Sequence, residues 1–217
     1  DKYWRKDIKG NSLPYLEQFV FEILNFNKDE LDLLKNKEIN FMFLRGFKDY
    51  NSLKTEAQKL DLSITNLGSD DGTLFIIFNQ STAKNDEGKP IVNTIKSSWF
   101  KNIKFRQALA YAINKQKLIN DVYGSLATPQ VSDISKQNPF YNPNVTKYEY
   151  DINKATKLLK EAGFKKNNKG ELLDLKGNRV EFTLVTNTGN TTRNSACNII
   201  KSDWEKLESK KQKAGRP

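Results

Sequence analysis

The chain of 217 residues is predicted to be an α/β protein, and three observations predict it. Short apolar runs such as LFIIF at 74–78 alternate along the chain with segments whose apolar residues recur at helical spacing. Clusters of Gly, Asn, Asp and Pro separate the two kinds of segment. With 37% hydrophobic residues, 13 Phe and 3 Trp, there is enough apolar material for a core on which such alternating elements can pack.

The elements follow in order. DIKGNSLPYLEQFVFEILNF at 7–26 reads as a Lys-Gly-Asn turn feeding a strand through Phe19, Phe21 and Ile23, then, with a slip, Leu24 and Phe26. Residues 27–37 read as a short helix capped by Asn27, and INFMFL at 39–44 as a second strand. Residues 50–60 are helical in pattern. LFIIF beyond them is apolar on both faces, which predicts a fully buried strand. From 81 to 98 the chain is polar around KNDEGKP and reads as a surface loop.

The most regular segment comes next. Phe105, Ala108, Leu109, Ala112 and Ile113 fall on one face of a helix that Asn102 can cap. Asn114 can cap a second helix carrying Leu118, Ile119 and Val122 before Gly124 ends it. ATPQVSDISKQNPFYNPNV is an irregular connection. Asp151 opens a helix with Ala155, Leu158, Leu159 and Ala162 on one side and Gly163 at its end. Two turns at NNKG and LKGN lead to a strand through Val180, Phe182 and Leu184, and 194–207 is helical with Ile199, Ile200, Trp204 and Leu207 facing a core.

Composition excludes several functions. Without His, the commonest general base, the Ser-His-Asp and Cys-His arrangements and His-ligated zinc are absent. One cysteine, Cys197, allows no internal disulfide and no thiolate metal cluster, and reads as a buried small apolar residue. No run approaches the roughly 18 apolar residues of a membrane span, and the opening DKYWRKD lacks the regions of an export signal. The net charge of +10 is uneven: residues 1–95 carry 13 basic and 15 acidic groups, and 96–217 carry 23 and 11. Most of the excess is Lys on helix surfaces and in the end SKKQKAGRP, the pattern of a solvated face rather than of a nucleic-acid surface.

DKYWRKDIKGNSLPYLEQ, GTLFIIFNQ, WFKNIKFRQALAYAINKQKLI, YGSLATP, YDINKATKLLKEAGF, LKGNRVEFTLVTNTGNTTR and NIIKSDWEKL stand in this order. In order and approximate spacing the chain resembles, over about residues 1–207, the family 5 extracellular solute-binding proteins, the oligopeptide-, dipeptide- and nickel-binding components of ABC importers. The resemblance implies a periplasmic-binding-protein-like type II fold: a partial bilobal structure with mixed sheets flanked by helices, closing on its ligand by hinge motion. It divides the chain into 1–95, part of a first lobe ending near the interlobe crossing, and 96–217, the first part of a second lobe with a divergent Lys-rich tail from about 208. Members of that family are commonly more than twice this length, so the chain is expected to be an interior piece without its signal sequence. Its end, ESKKQKAGRP, departs from the family pattern.

The site expected from this resemblance centres on LVTNTGNTTR at 184–193. A strand followed by a helix places the intervening bend at the carboxyl end of a sheet, where open α/β sheets present their ligand crevice. Asn187, Gly189 and Asn190 there offer short donors and acceptors, and Arg193 a charged donor for a ligand carboxylate. The same residues suit a helix cap and a turn, and both readings stay open. Asn79 and Gln80 end LFIIF; in the resembling family that segment runs along the cleft, where its backbone can pair with an extended peptide. Tyr3, Trp4 and Trp99 read as packing residues.

The expected function is therefore an extracytoplasmic receptor, at the periplasmic or extracellular face of the membrane, that captures peptides and passes them to ABC permease subunits. It performs no catalysis, holds no cofactor or metal and binds no nucleic acid. Peripheral membrane association would come through an N-terminal lipoprotein anchor outside this stretch. The piece alone is expected to bind ligand weakly and to self-associate over its uncovered apolar surface. Nickel is the less favoured solute, since the chain has no His and 1 Met. The alternatives weighed are a basic nucleic-acid-binding protein and, more remotely, a hydrolase using loop pairs such as Asp70-Asp71 and Asp86-Glu87.

Overall fold

The structure, a computed structural model, describes residues 3–24, 29–44, 46–68 and 72–208. Helices come first: α1 (Glu30–Lys35) and α2 (Phe47–Lys54), then α3 (Thr94–Lys101), α4 (Ile103–Tyr111), α5 (Lys115–Tyr123) and α6 (Ile152–Glu161). The strands β1 (Lys165–Lys166) and β2 (Leu172–Leu173) pair antiparallel, and α7 (Thr191–Glu205) closes the order. Six of the seven helices begin at an Asn or Asp whose side chain accepts a first-turn N–H. Asn102, Asn114 and Asp151 do so as the sequence predicts.

One five-residue turn occurs four times, at 7–11, 85–89, 167–171 and 174–178. In each an Asp or Asn side chain accepts the backbone N–H four residues on, and a Gly in fourth place takes φ between 75° and 89°. A Cβ is strained in that left-handed region, and the turn is the three-residue hairpin loop that carries an αL residue before its second strand. Bridges Lys6↔Ser12 and Lys84↔Pro90 and the β1–β2 pair close three of these loops, and Leu173↔Arg179 closes the fourth.

The core lies in the second half of the chain. α4 packs along α6, where Ala108 and Ala155, both fully buried, leave room for close approach. Phe105 is completely buried, with ring centroids 5.1 Å from Phe164 and 6.2 Å from Phe182. Trp204 donates its indole N–H to Leu109 O at 3.0 Å, and the carboxylate of Asp203, 1% exposed, accepts the Asn114 N–H at 2.9 Å. These bonds fasten α7 to the end of α4 and the start of α5. Asp174, also buried, accepts from Trp99 Nε1 at 2.9 Å, from the Asn178 side chain and from two backbone N–H groups of its own turn, tying α3 to the β2 hairpin. Burial alone pushes its carboxyl up; the bonds from Asn178, Trp99 and the backbone outweigh that and leave it below its ordinary value.

Several expectations are corrected. LFIIF is not a fully buried strand: Phe75 and Ile77 are 68% and 77% exposed, Ile76 and Phe78 turn inward, and no ladder forms. The segment through Phe19, Phe21 and Ile23 is likewise exposed, and the one at 39–44 exposes Phe41 and Phe43 while Ile39, Met42 and Leu44 are half-buried; neither is a paired strand. Residues 181–185 keep strand-like alternation, with Phe182 and Leu184 inward, also without a ladder. The physical reason is shared: a strand needs a neighbour for its N–H and C=O groups, and none of these runs finds one among the described residues. The sheet is thus limited here to two strands.

The supposed loop at 81–98 holds the first turn of α3 from Thr94, capped by Asn93. The helix expected at 50–60 runs over Phe47–Lys54 and continues as turns, and α1 starts after a cap by Asp29; Asn27 lies outside the described residues. α7 begins at Thr191, three residues early, because Asn190 caps it. Cys197, Ile113 and Ile199 are half-buried rather than buried, and Tyr3 and Trp4 are exposed instead of packed, whereas Trp99 is in the core.

Candidate functional site

The bend at 187–193 follows from its local chemistry. Gly189 takes φ 82°, with nothing within 4 Å of where a Cβ would stand, and Asn190 accepts the Arg193 N–H at 2.8 Å to start α7. The Arg193 guanidinium then reaches back to Asn187 Oδ1 at 3.0 Å, bridging the two ends of the bend. Among the described residues that neutral oxygen is its one hydrogen-bond partner, and it makes no ion pair. Tyr123 stands close by: burial pushes its phenol up, and the Arg193 charge works in the opposite direction.

Arg193 lines a cavity of about 330 Å³. Residues 74–79 and 182–186, together with Phe100 of α3 and Ala196, Cys197, Ile200 and Trp204 of α7, form the rest of its wall, and among the described residues Arg193 is the one charged side chain in the lining. At its inner end Phe78 packs against Phe182, with centroids 6.5 Å apart, and against Trp204 at 6.2 Å. Of the expected site residues, Asn79 and Arg193 meet in this cavity. Asn79 also accepts the Ser81 N–H at 3.1 Å, shaping its own turn. Gln80 does not line the cavity; its Oε1 accepts from Arg106 Nη1 at 3.1 Å, and Arg106 also donates to Phe100 O at 2.6 Å. Asn187, Gly189 and Asn190 stand outside the lining, with Asn187 tied to it through Arg193.

Sequence reasoning misses two contributors. Arg106, which pins the 79–80 turn to α3 and α4, has no sequence signal, because its partner is 26 residues away. The start of α2 is the second. A Cβ on Gly124 would lie 2.0 Å from the Phe47 ring, and one on Gly46 3.9 Å from Thr192 Oγ1, so α2 abuts both the end of α5 and the bend. Gly124, at φ 55°, can be read as a helix terminator, but not as the bed for an aromatic ring. Among the described residues no group of His, Cys, Asp or Glu could hold a metal ion.

Comparison with known proteins bears on what this arrangement is for. Residues 1–208 match the family described as bacterial extracellular solute-binding proteins, family 5 Middle. A probable ABC transporter-binding protein of Deinococcus radiodurans is 30% identical, over 94% of this chain and 34% of that protein. The oligopeptide-binding protein AppA of Bacillus subtilis is 34% identical over 52% of this chain and 21% of its own. The structure of AppA in complex with a nonapeptide superposes with a TM-score of 0.47, covering 52% of this chain and 23% of that one. The chain thus spans about a third or less of the length of the relatives it matches. These relatives are named as binding proteins rather than enzymes, which favours solute binding over the nucleic-acid alternative. With a match across nearly its whole length, the chain belongs to the bacterial extracellular solute-binding proteins of family 5.

Proposed function

We propose that these residues build part of the ligand cleft of a peptide receptor that serves an ABC importer at the periplasmic or extracellular face of the membrane. The observation that carries the proposal is Arg193, which makes no ion pair among the described residues, on the wall of an apolar cavity bordered by two extended segments that form no ladder with another described residue. Asn79, Gln80, Asn187, Gly189, Asn190 and Arg193 are the ligand-binding residues of this reading. Arg193 meets a carboxylate, Asn187 holds it in place, and Gly189 and Asn190 set the bend. Asn79 and Gln80 close the extended segment, with Gln80 braced by Arg106. The reading assigns 1–95 to one lobe and 96–217 to the other. In support, the buried residues of the main core cluster are drawn from residues 99 to 207, with Phe78 packed against them from the other side of the division, while Leu33, Leu34, Leu53 and Ala57 are buried outside it. Among the described residues no helix is long and apolar enough to cross a membrane.

Calorimetric titration of the natural gene product that contains these residues, with an extended peptide bearing a free carboxylate, tests the site. Arg193→Ala is expected to weaken binding about tenfold, as loss of one charge-assisted bond does, and the effect should shrink when the peptide is amidated. Equal affinity of the variant and the parent protein would remove Arg193 from the site.

A further inference from the structure

Asn79 stands in the cavity wall between two residues that are each fastened to the second half of the chain. On one side the ring of Phe78 packs among Phe100 at 5.5 Å, Trp204 at 6.2 Å and Phe182 at 6.5 Å. On the other, Gln80 Oε1 accepts from Arg106 Nη1 at 3.1 Å, and the same nitrogen donates to Phe100 O at 2.6 Å. That carbonyl lies in the last turn of α3, where no N–H further along the helix reaches it. The Arg106 guanidinium therefore caps the end of α3 and holds the 79–80 turn with one group. Its planar fork of donors suits two acceptors on separate segments, as a single ammonium on a flexible stem does not. Phe100 serves both fastenings, through its ring for Phe78 and through its carbonyl, by way of Arg106, for Gln80.

Resting on the receptor reading above, we infer that Arg106 is a positioning residue of the ligand site: without touching the ligand it fixes where Asn79 stands on the cavity wall, and Gln80 acts through Arg106 rather than by contact. Neither Arg106 nor Gln80 lines the cavity, whereas Asn79 between the two anchors does. With Phe78 alone in place, the turn at 79–80 is held from one side and a ligand has to order it on binding. That ordering lowers affinity although the groups that meet the ligand are unchanged.

The test is a double-mutant cycle on ligand affinity in the natural gene product, titrated calorimetrically with penta-alanine and with penta-lysine, both bearing free carboxylates. Arg106→Ala and Gln80→Ala are each expected to weaken binding of the tighter peptide about fivefold, the loss of one hydrogen bond's worth of ordering. The double variant should lose no more than about tenfold, against about 25-fold for independent effects. Gln80→Glu separates positioning from contact, because it keeps the oxygen that Arg106 binds and removes the amide donor that a ligand could use. Its affinity is expected to stay within about twofold of the parent's. Gln80→Ala leaves the bond from Arg106 to Phe100 in place, so the cycle has a member in which α3 keeps its cap even if Arg106→Ala fails to fold. Parent-like affinity of Gln80→Ala, additive losses in the double variant, or a loss in Gln80→Glu equal to that in Gln80→Ala would each overturn the inference and leave the receptor reading standing. Binding of neither peptide by the parent protein would overturn both.

Discussion

Phe105→Ala is expected to destabilise the protein by about 3–5 kcal/mol, the range for removing an aromatic ring from a core that cannot collapse around the void. Phe105 is completely buried, and its neighbours come from three separate elements: Phe164 after α6, Phe182 on the extended segment, and the Ala108–Leu109 face of its own helix. None of these can follow the lost ring inward without giving up its own contacts, since Phe182 also packs on Phe100 at 5.5 Å and on Trp204 at 5.6 Å. The cavity wall at 182–186 hangs from this cluster, so the ligand site should loosen with it. Urea unfolding followed by tryptophan fluorescence measures the loss. A change below about 1 kcal/mol would mean that Phe105 is not the keystone of the aromatic cluster.

Asp174→Asn is the second large effect, expected to cost about 1–3 kcal/mol at neutral pH. The buried carboxylate accepts from Trp99, Asn178 and two backbone N–H groups at once. An amide can satisfy one side of this arrangement, but its NH₂ then faces another donor. The pH dependence has a definite sign. The folded-state pKa of Asp174 lies below the ordinary value of about 3.9, so its contribution is complete above that value and is lost as the pH falls through the lower, folded one. The stability gap between parent and variant should therefore be widest at pH 6–7 and close progressively below about pH 4. A gap that stays constant down to pH 2 would show that the charge on Asp174 contributes nothing.

The features legible in the sequence are those governed by near neighbours. Asn102, Asn114 and Asp151 cap helices because their side chains reach N–H groups only three residues on, and Gly124 and Gly163 end helices because they tolerate positive φ. The turns at NNKG and LKGN are legible for the same reason. Strands are not, since pairing depends on a partner distant in sequence. LFIIF is apolar at every position, which hides the fact that Phe75 and Ile77 face out while Ile76 and Phe78 face in. The first turn of α3 escapes detection because Thr94, Ser97 and Ser98 dilute its apolar pattern, although Asn93 followed by Ile95 and Trp99 at helical spacing was the signal for it. At the site, the strand-bend-helix order of 180–205 is readable, but the placement of Asn79 and Arg193 in the lining of one cavity and the bracing of Gln80 by Arg106 depend on long-range contacts.

The central claim is that the bend at Arg193 belongs to the wall of a peptide-binding cleft. Native mass spectrometry of the natural gene product, purified without added ligand and then dissociated, addresses it most directly. The account predicts a bound population that releases short peptides and that is depleted in the Arg193→Ala variant. A ligand-free spectrum for the parent protein, together with a melting temperature that no member of a peptide panel raises, would contradict it.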